Sequence, residues 1–374
     1  MAQNEIICRA NAAYGNSPEI FVAERITTVT TVMQRNRRRT HRSAWTIAFL
    51  VLFCLGPTMA DDAISPSSTD SASGPPATET TGGVRTLGGR QFWGDVRFFR
   101  GWRIQHNVLL GQHRLLDPED KRFHSGTLEE CEERLNRFRD ELNLKDMSGR
   151  AVILIHGIGR SSKSFRSMAK ALQEDGYTVV GFDYPSTRVS IPESAEYLHK
   201  TIQSLEGIEE IDTVCHSMGG LLLRAYLQKH NEPRFRRAVM LGVPNKGAQM
   251  ADILKGNPLF KVVLGPAGQQ LVTDNDGIIP KLPAPNFPFA VIAGGRSAAK
   301  GYNPILPGDN DSTVTVASTR LPGAADFLLL PVIHSFLMNN DQCVEATRHF
   351  LTHGQLVHDR EPQPISTVSP KTER

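Results

Sequence analysis

The run Ile211-Asp212-Thr213-Val214-Cys215-His216-Ser217-Met218-Gly219-Gly220 constrains the fold more than any other stretch of the chain. A short strand, Ile211 to Val214, runs straight into a serine, and two glycines open a helical stretch through Leu221, Leu222, Ala225 and Tyr226. A strand that becomes a helix within one residue brings two backbones close together, so small side chains are needed around the turn. Gly219 supplies one of them, and Cys215 stands two positions before the serine, where such turns ordinarily carry glycine. The layout is that of a strained turn that lifts a serine oxygen clear of the backbone. A buried strand meeting an ordinary helix N-terminus would read the same way, so the surroundings decide.

Around this run, strands and helices alternate. Ala151 to Ile155 is continuously apolar, as a strand buried on both faces must be. Phe165, Met168, Ala169 and Leu172 follow at helical spacing, and Gly176 stops the helix. The next elements are a strand over Tyr177–Phe182, a helix over Glu193–Leu205, and strands at Arg237–Leu241, Phe289–Ala293 and Phe327–Val332. A last helix covers Asp341–Leu351. Upstream, Trp102–Gln105 and His113–Leu116 read as a hairpin turning at Gly111, and Leu128–Leu142 as a solvated amphipathic helix. The alternation implies a mostly parallel central sheet with helices on both faces.

A serine hydroxyl is a weak nucleophile and needs a base, an orienter for that base, and donors for an oxyanion. His156-Gly157-Ile158-Gly159 follows the first buried strand, and its glycines let the backbone approach a substrate. The amides of Ile158 and Met218 are the expected oxyanion donors, with Gly157, Gly159 and Gly219 as supporting positions. His156 is either an orienter of that loop or itself the base; its place inside the glycine turn, ahead of the serine, favours the first. His334 follows the last strand, at the sheet edge where catalytic groups of open α/β sheets gather. It is therefore the expected base, while His349 and His353 fall in or after the last helix, on a solvated face, and His216 points into the serine turn. The acid should follow the penultimate strand, where Pro307-Gly308-Asp309-Asn310-Asp311-Ser312-Thr313-Val314 offers two carboxylates. Asp311 is favoured and Asp309 remains the alternative. Asp274-Asn275-Asp276-Gly277 looks like the head of a calcium loop, but Pro285 occupies the position where the closing glutamate belongs. A turn is expected there, with no metal and no cofactor.

The order Ser217…Asp311…His334 is that of the α/β-hydrolase superfamily. Ile155-His156-Gly157-Ile158-Gly159, Cys215-His216-Ser217-Met218-Gly219-Gly220 and Leu241-Gly242-Val243-Pro244-Asn245-Lys246-Gly247 resemble the small bacterial triacylglycerol lipases. They also resemble the lipase-like branch that includes GPI inositol-deacylases and cholesterol acyltransferases, whose acid motif is similar to Asp311-Ser312-Thr313-Val314. The resemblance covers roughly residues 150–350 and implies an α/β-hydrolase fold with minimal or no cap domain. It implies a serine hydrolase of carboxylic esters with an acyl or lipid-like substrate. An acyltransferase, a peptidase and an inactive binding protein use the same fold. The only room for a lid is between Gly247 and Phe287, where Leu259, Phe260, Val262, Val263 and Leu264 serve as lid, acyl-chain contacts or ordinary core.

Composition matters chiefly at the start of the chain. Arg35, Arg37, Arg38, Arg39 and Arg42 precede an uncharged run from Ala44 to Leu55, and Thr58-Met59-Ala60 follows. That is the pattern of a secretory signal with cleavage near Ala60, and the run is short of the roughly 20 residues a bilayer span needs. An uncleaved anchor holding the protein to a membrane through residues 44–55 is the alternative. Residues 1–60 hold seven Lys/Arg and three Asp/Glu, so the rest carries 35 against 36 and the overall +3 vanishes. Without a basic bias, nucleic acid is not an expected partner. Residues 61–83 read as a flexible linker rich in Ser, Thr, Pro and Gly, 84–353 as the domain, and 354–374 as a loose tail. Of the five cysteines, Cys215 should lie buried under the turn; Cys131 and Cys343 are a candidate disulfide or, more simply, two free thiols.

Overall fold

The computed structural model describes residues 89–367, so the signal and linker segments lie outside the described residues. Two sheets make up the described chain. The first is antiparallel in chain order: β1 (Trp93–Phe99), β2 (Trp102–Asn107), β3 (His113–Leu116) and β4 (Arg122–Gly126). The expected β2–β3 hairpin is present, with Ile104 opposite Leu115 and Gly111 at φ +69. The outer strands β1 and β4 escaped the sequence pattern. In β1, buried Asp95 interrupts the alternation, and β4 is a mostly exposed edge. Helix α1 (Leu128–Glu141) begins with a capping box between Thr127 and Glu130 and buries Cys131, Leu135 and Phe138. Phe138 stacks on Trp102 with ring centroids 5.1 Å apart.

The second sheet is wholly parallel. Its strands are β5 (Gly149–Ile155), β6 (Thr178–Phe182), β7 (Ile208–His216), β8 (Phe235–Leu241), β9 (Phe289–Gly294) and β10 (Asp326–Leu330). Their order across the sheet is β10-β9-β8-β7-β5-β6. Helices α2 (Arg166–Glu174), α3 (Ile191–Gln203) and α4 (Met218–Lys229) follow β5, β6 and β7. Beyond β8 come α5 (Gln249–Leu254) and α6 (Pro258–Gln269), then a short α7 (Val316–Thr319) and finally α8 (Asp341–His353). Alternate strand residues such as Val152, Leu154, Val214, Val239, Leu241 and Ile292 form one core with Phe165 just before α2, Met168 and Leu172 of α2, and Val344, Phe350 and Leu351 of α8. The alternate residues face α3 and α4, which pack on each other, and bury Ile153, Ile155 and Cys215 completely. Each fully buried leucine, isoleucine or phenylalanine contributes about 1.5–3 kcal/mol of transfer free energy. Chain order reverses between β5 and β7. At such a switch point the loops at the carboxyl ends diverge and leave a crevice for a ligand.

Two expectations change. As far as Thr367 the segment after Gly354 does not hang loose: Asp326 accepts from the amides of Leu356 and Gln363, each at 2.8 Å, and Ile365 bonds to Gly323 and Ala324. Apolar Leu356 is buried, which pulls the segment down. His349 is half-buried rather than on a solvated face, with Nδ1 2.7 Å from the carbonyl oxygen of Gln355. Cys131, Cys215 and Cys343 are buried free thiols. Among the described residues no helix is long and apolar enough to cross a membrane.

Candidate active site

Strand β7 ends at His216 and α4 begins at Met218, leaving Ser217 between them at φ 54, ψ −127. For a residue with a Cβ this backbone conformation costs on the order of 1–3 kcal/mol. The surroundings hold it: the Ser217 amide donates to Leu241 O at 2.9 Å, and the Gly220 amide donates to Ser217 O at 3.1 Å. Gly219 has no alternative, because a Cβ there would lie 2.3 Å from the carbonyl oxygen of Ile155. Cys215 fills the usual glycine position without strain, fully buried between Ile155 of β5 and Met240 of β8. Burial pushes its thiol far up, so it stays protonated and acts as a small apolar residue.

Met218 is the first residue of α4, so its N–H is among the four that a helix leaves without an internal partner, at the positive end of the helix dipole. The turn after β5 comes to the same place, where a Cβ on Gly157 would meet Ser217 Cβ at 2.9 Å. Ile158 and Met218 therefore lie on turns that meet at the serine. His156 is buried with Nδ1 2.8 Å from Gly157 O. Burial lowers its pKa in spite of nearby Asp183, so the ring is a neutral part of the turn.

The candidate acid and base come from two other strand ends. His334 opens a short 3₁₀ turn after β10, and its Nδ1 lies 2.6 Å from Asp311 Oδ2 in the loop after β9. The His334 amide also donates to Asp311 O at 2.8 Å, so ring and backbone are tied to one residue. The other carboxylate oxygen, Oδ1, accepts from the amides of Val314 at 2.7 Å and Thr313 at 3.0 Å. Asp311 is fully buried. With Nδ1–H committed to that carboxylate, Nε2 is the nitrogen left for a reacting group. A Cβ on Gly242, at φ +56, would lie 3.1 Å from His334 Nδ1 and 3.2 Å from Asp311 Oδ2. The residue before it, Leu241, anchors Ser217. The serine turn and the acid–base pair thus share one edge of the sheet.

Asp309 does other work. Its Oδ1 accepts from Arg296 N at 2.8 Å and Asn310 N at 2.9 Å, and its Oδ2 from Ser297 N at 2.8 Å, which shapes the loop rather than the histidine. His349 and His353 lie near the far end of β8, where Arg236 and Arg237 bond to Leu351 O. Asp274–Gly277 is a turn closed by Gly277 N to Asp274 O at 3.1 Å, and no cluster fit to hold a metal occurs among the described residues. Between β8 and β9, only Phe260 of the five candidate lid residues is buried; Leu259 and Val262 are exposed, so ordinary core packing does not describe this helix. Gly268 of α6 lies against the Ile158 side chain, beside the oxyanion turn.

One contact was not legible. His216 Nε2 donates to His334 O at 3.1 Å, and the two rings stand 4.6 Å apart. Burial first, with His334 and Arg160 adding to it, drives the His216 imidazole far below its ordinary pKa, so it is a neutral prop under His334. Only its position before the serine hinted at this. Asn310 was missed too: fully buried, it accepts from Asn303 N at 2.9 Å and Ser312 N at 3.1 Å and so shapes the acid loop.

A parallel sheet ordered β10-β9-β8-β7-β5-β6, with a strained serine turn after β7, an acid loop after β9 and a histidine after β10, is an α/β-hydrolase fold. A family described as a domain of unknown function (DUF7379) matches residues 123–276. No curated protein matches the sequence. Among solved structures, the mature lipase BlEst2 of Bacillus licheniformis is 20% identical, with 55% of this chain and 91% of that one covered at a TM-score of 0.41. A lipase-esterase related protein of Clostridium acetobutylicum is 14% identical over 55% and 96% of the two chains, at 0.39. A thermophilic esterase of Thermogutta terrifontis is 16% identical over 55% and 91%, also at 0.39.

Proposed function

We propose that the protein is a serine hydrolase of carboxylic esters, working through Ser217, His334 and Asp311. The observation that carries this reading is the buried Asp311–His334 hydrogen bond of 2.6 Å beside a serine held at φ 54. Ser217 Oγ attacks the ester carbonyl carbon while His334 Nε2 takes its proton. Asp311 holds the imidazole in the required tautomer and stabilises the imidazolium. The Ile158 and Met218 amides receive the oxyanion. Collapse breaks the bond to the alcohol, which leaves with the proton from His334, and water then releases the acyl group by the same steps. Leu259 and Val262 are exposed on α6, the helix whose far end reaches Ile158 at Gly268, and such apolar surface suits an acyl or lipid-like substrate.

A fluorophosphonate probe should label the folded protein at Ser217, and p-nitrophenyl esters of increasing chain length should then be hydrolysed with a preference that ranks esterase against lipase. A folded protein that neither reacts with the probe nor cleaves any ester of the series sinks the proposal. The two carboxylates of the acid loop give a second test. Asp311→Asn keeps the shape but favours the wrong imidazole tautomer, with an expected loss of about 10⁴-fold in kcat. Asp309→Asn should lose less than about tenfold, because it disturbs only a loop. The gap corresponds to about 4 kcal/mol of transition-state stabilisation, and steady-state kinetics showing the reverse ranking would move the acid to Asp309.

A further inference from the structure

The oxyanion turn is held from outside the parallel sheet. Residues 183–186, which follow β6, grip it at four points. The His156 ring stacks on Tyr184 with centroids 4.4 Å apart, and the Tyr184 hydroxyl donates to His156 O at 2.7 Å. Gly159 N donates to Ser186 Oγ at 3.0 Å, and Ser162 N donates to Asp183 Oδ1 at 2.6 Å. The last contact leads to the antiparallel sheet. Asp183 Oδ2 accepts from Arg103 Nη1 of β2 at 2.7 Å. The backbone of Asp183 is also caught by β1: its amide donates to Asp95 Oδ2 at 2.7 Å, and its carbonyl accepts from Asp95 N at 2.8 Å.

Arg103 is the centre of this arrangement. Its side chain is buried, its Nη1 lies 3.6 Å from Asp95 Oδ2, and its Nη2 bonds to Asp120. Gln105 Nε2 holds the other oxygen of Asp95 at 2.7 Å. Burial opposes ionisation of Asp183, but the Arg103 guanidinium and the Ser162 amide outweigh it and keep that carboxyl at about 2. Burial lifts Asp95 to about 6 against the pull of the same guanidinium. A desolvated ion network of this kind gains little stability over apolar residues of equal volume. What a planar, forked guanidinium adds is geometry, because it fixes where each carboxylate oxygen stands.

We propose that Arg103, on the antiparallel sheet, is a positioning residue for the oxyanion turn, acting through the Asp183 carboxylate on residues 156–162. The inference rests on the hydrolase reading above and extends it to a sheet that contributes no residue to the triad. Arg103→Lys keeps the charge and removes the fork. Misplacing a reacting group by about 1 Å can cost about 10²-fold, so this variant should lose about 10- to 100-fold in kcat on a p-nitrophenyl ester, with KM within about twofold. Asp183→Asn removes the charge that Arg103 grips and should give a loss of the same size. Because both changes break one path, the double variant should be little worse than either single one. Thermal unfolding of each variant establishes that the measured enzyme is folded.

A folded Arg103→Lys enzyme with the parent kcat overturns the proposal, as does a double variant whose losses multiply. If Arg103→Lys does not fold, a folded Asp183→Asn with the parent kcat overturns it equally. A lowered melting temperature without a change in kcat would assign Arg103 to stability alone. Failure of the hydrolase reading is distinguishable: the unaltered protein would then neither react with fluorophosphonate nor cleave ester, whatever residue stands at 103.

Discussion

Replacing Ser217 by alanine is expected to leave a folded protein whose ester hydrolysis has fallen by about 10⁶-fold in kcat, the scale of single nucleophile knockouts in other serine hydrolases. The loss is so large because base and acid have no work without the oxygen they activate. Folding should survive because alanine keeps the Cβ around which the turn is packed, and the amide bond from Ser217 N to Leu241 O does not involve the side chain. The strain at φ 54 is common to serine and alanine and cancels in the comparison. The measurement is kcat on a p-nitrophenyl ester, with circular dichroism as the check on folding. Retention of more than a tenth of the parent activity would remove Ser217 from the mechanism.

Replacing His334 by alanine should cost about as much, again near 10⁶-fold in kcat. This variant differs in its effect on the protein. Fully buried Asp311 would keep its bonds from Thr313 and Val314 but lose the imidazole at 2.6 Å. An acceptor left without its partner costs about 1–3 kcal/mol, so the melting temperature should fall together with the activity. His349→Ala and His353→Ala provide the contrast, since both sit by the far end of β8 and should leave kcat within about twofold. Added imidazole, small enough to enter the space vacated by the ring, should restore part of the His334→Ala activity. An active His334→Ala enzyme, or a folded His349→Ala or His353→Ala enzyme that is inactive, would reassign the base.

The legible parts of this protein share a physical cause. Strands β5, β7, β8 and β9 are buried on both faces, so their apolar runs announce them, and the residues next in line fall at the active edge. That is how His156 and Ser217 could be placed at this edge from spacing, and His334 from its position after the last strand. Asp311 and Asp309 stand two apart in one loop, and only the fold decides which carboxylate turns inward; here Val314 and Thr313 amides claim Asp311, while Arg296 and Ser297 amides claim Asp309. Strand β1 was illegible because its buried Asp95 reads as a surface residue until Gln105 and the Asp183 amide are placed beside it. The Arg103–Asp183 bond spans 80 positions, and no local pattern records it. The described part of the tail, to Thr367, was illegible for the same reason, since Asp326 and the amides it binds are 30 and 37 positions apart.

The order of the site along the chain bears on when activity can arise. Chains are synthesised N-terminus first, at about 5–20 residues per second. The oxyanion turn near Ile158 and the serine turn at Ser217 are made early, whereas Asp311, His334 and the closing contacts of Leu356 and Ile365 belong to the last sixty-odd residues. A serine without its base is a poor nucleophile. If Ser217 is the nucleophile we propose, a nascent, nicked or prematurely ended chain therefore carries its oxygen without the means to use it, and stays inert until its final segment has been made and folded home.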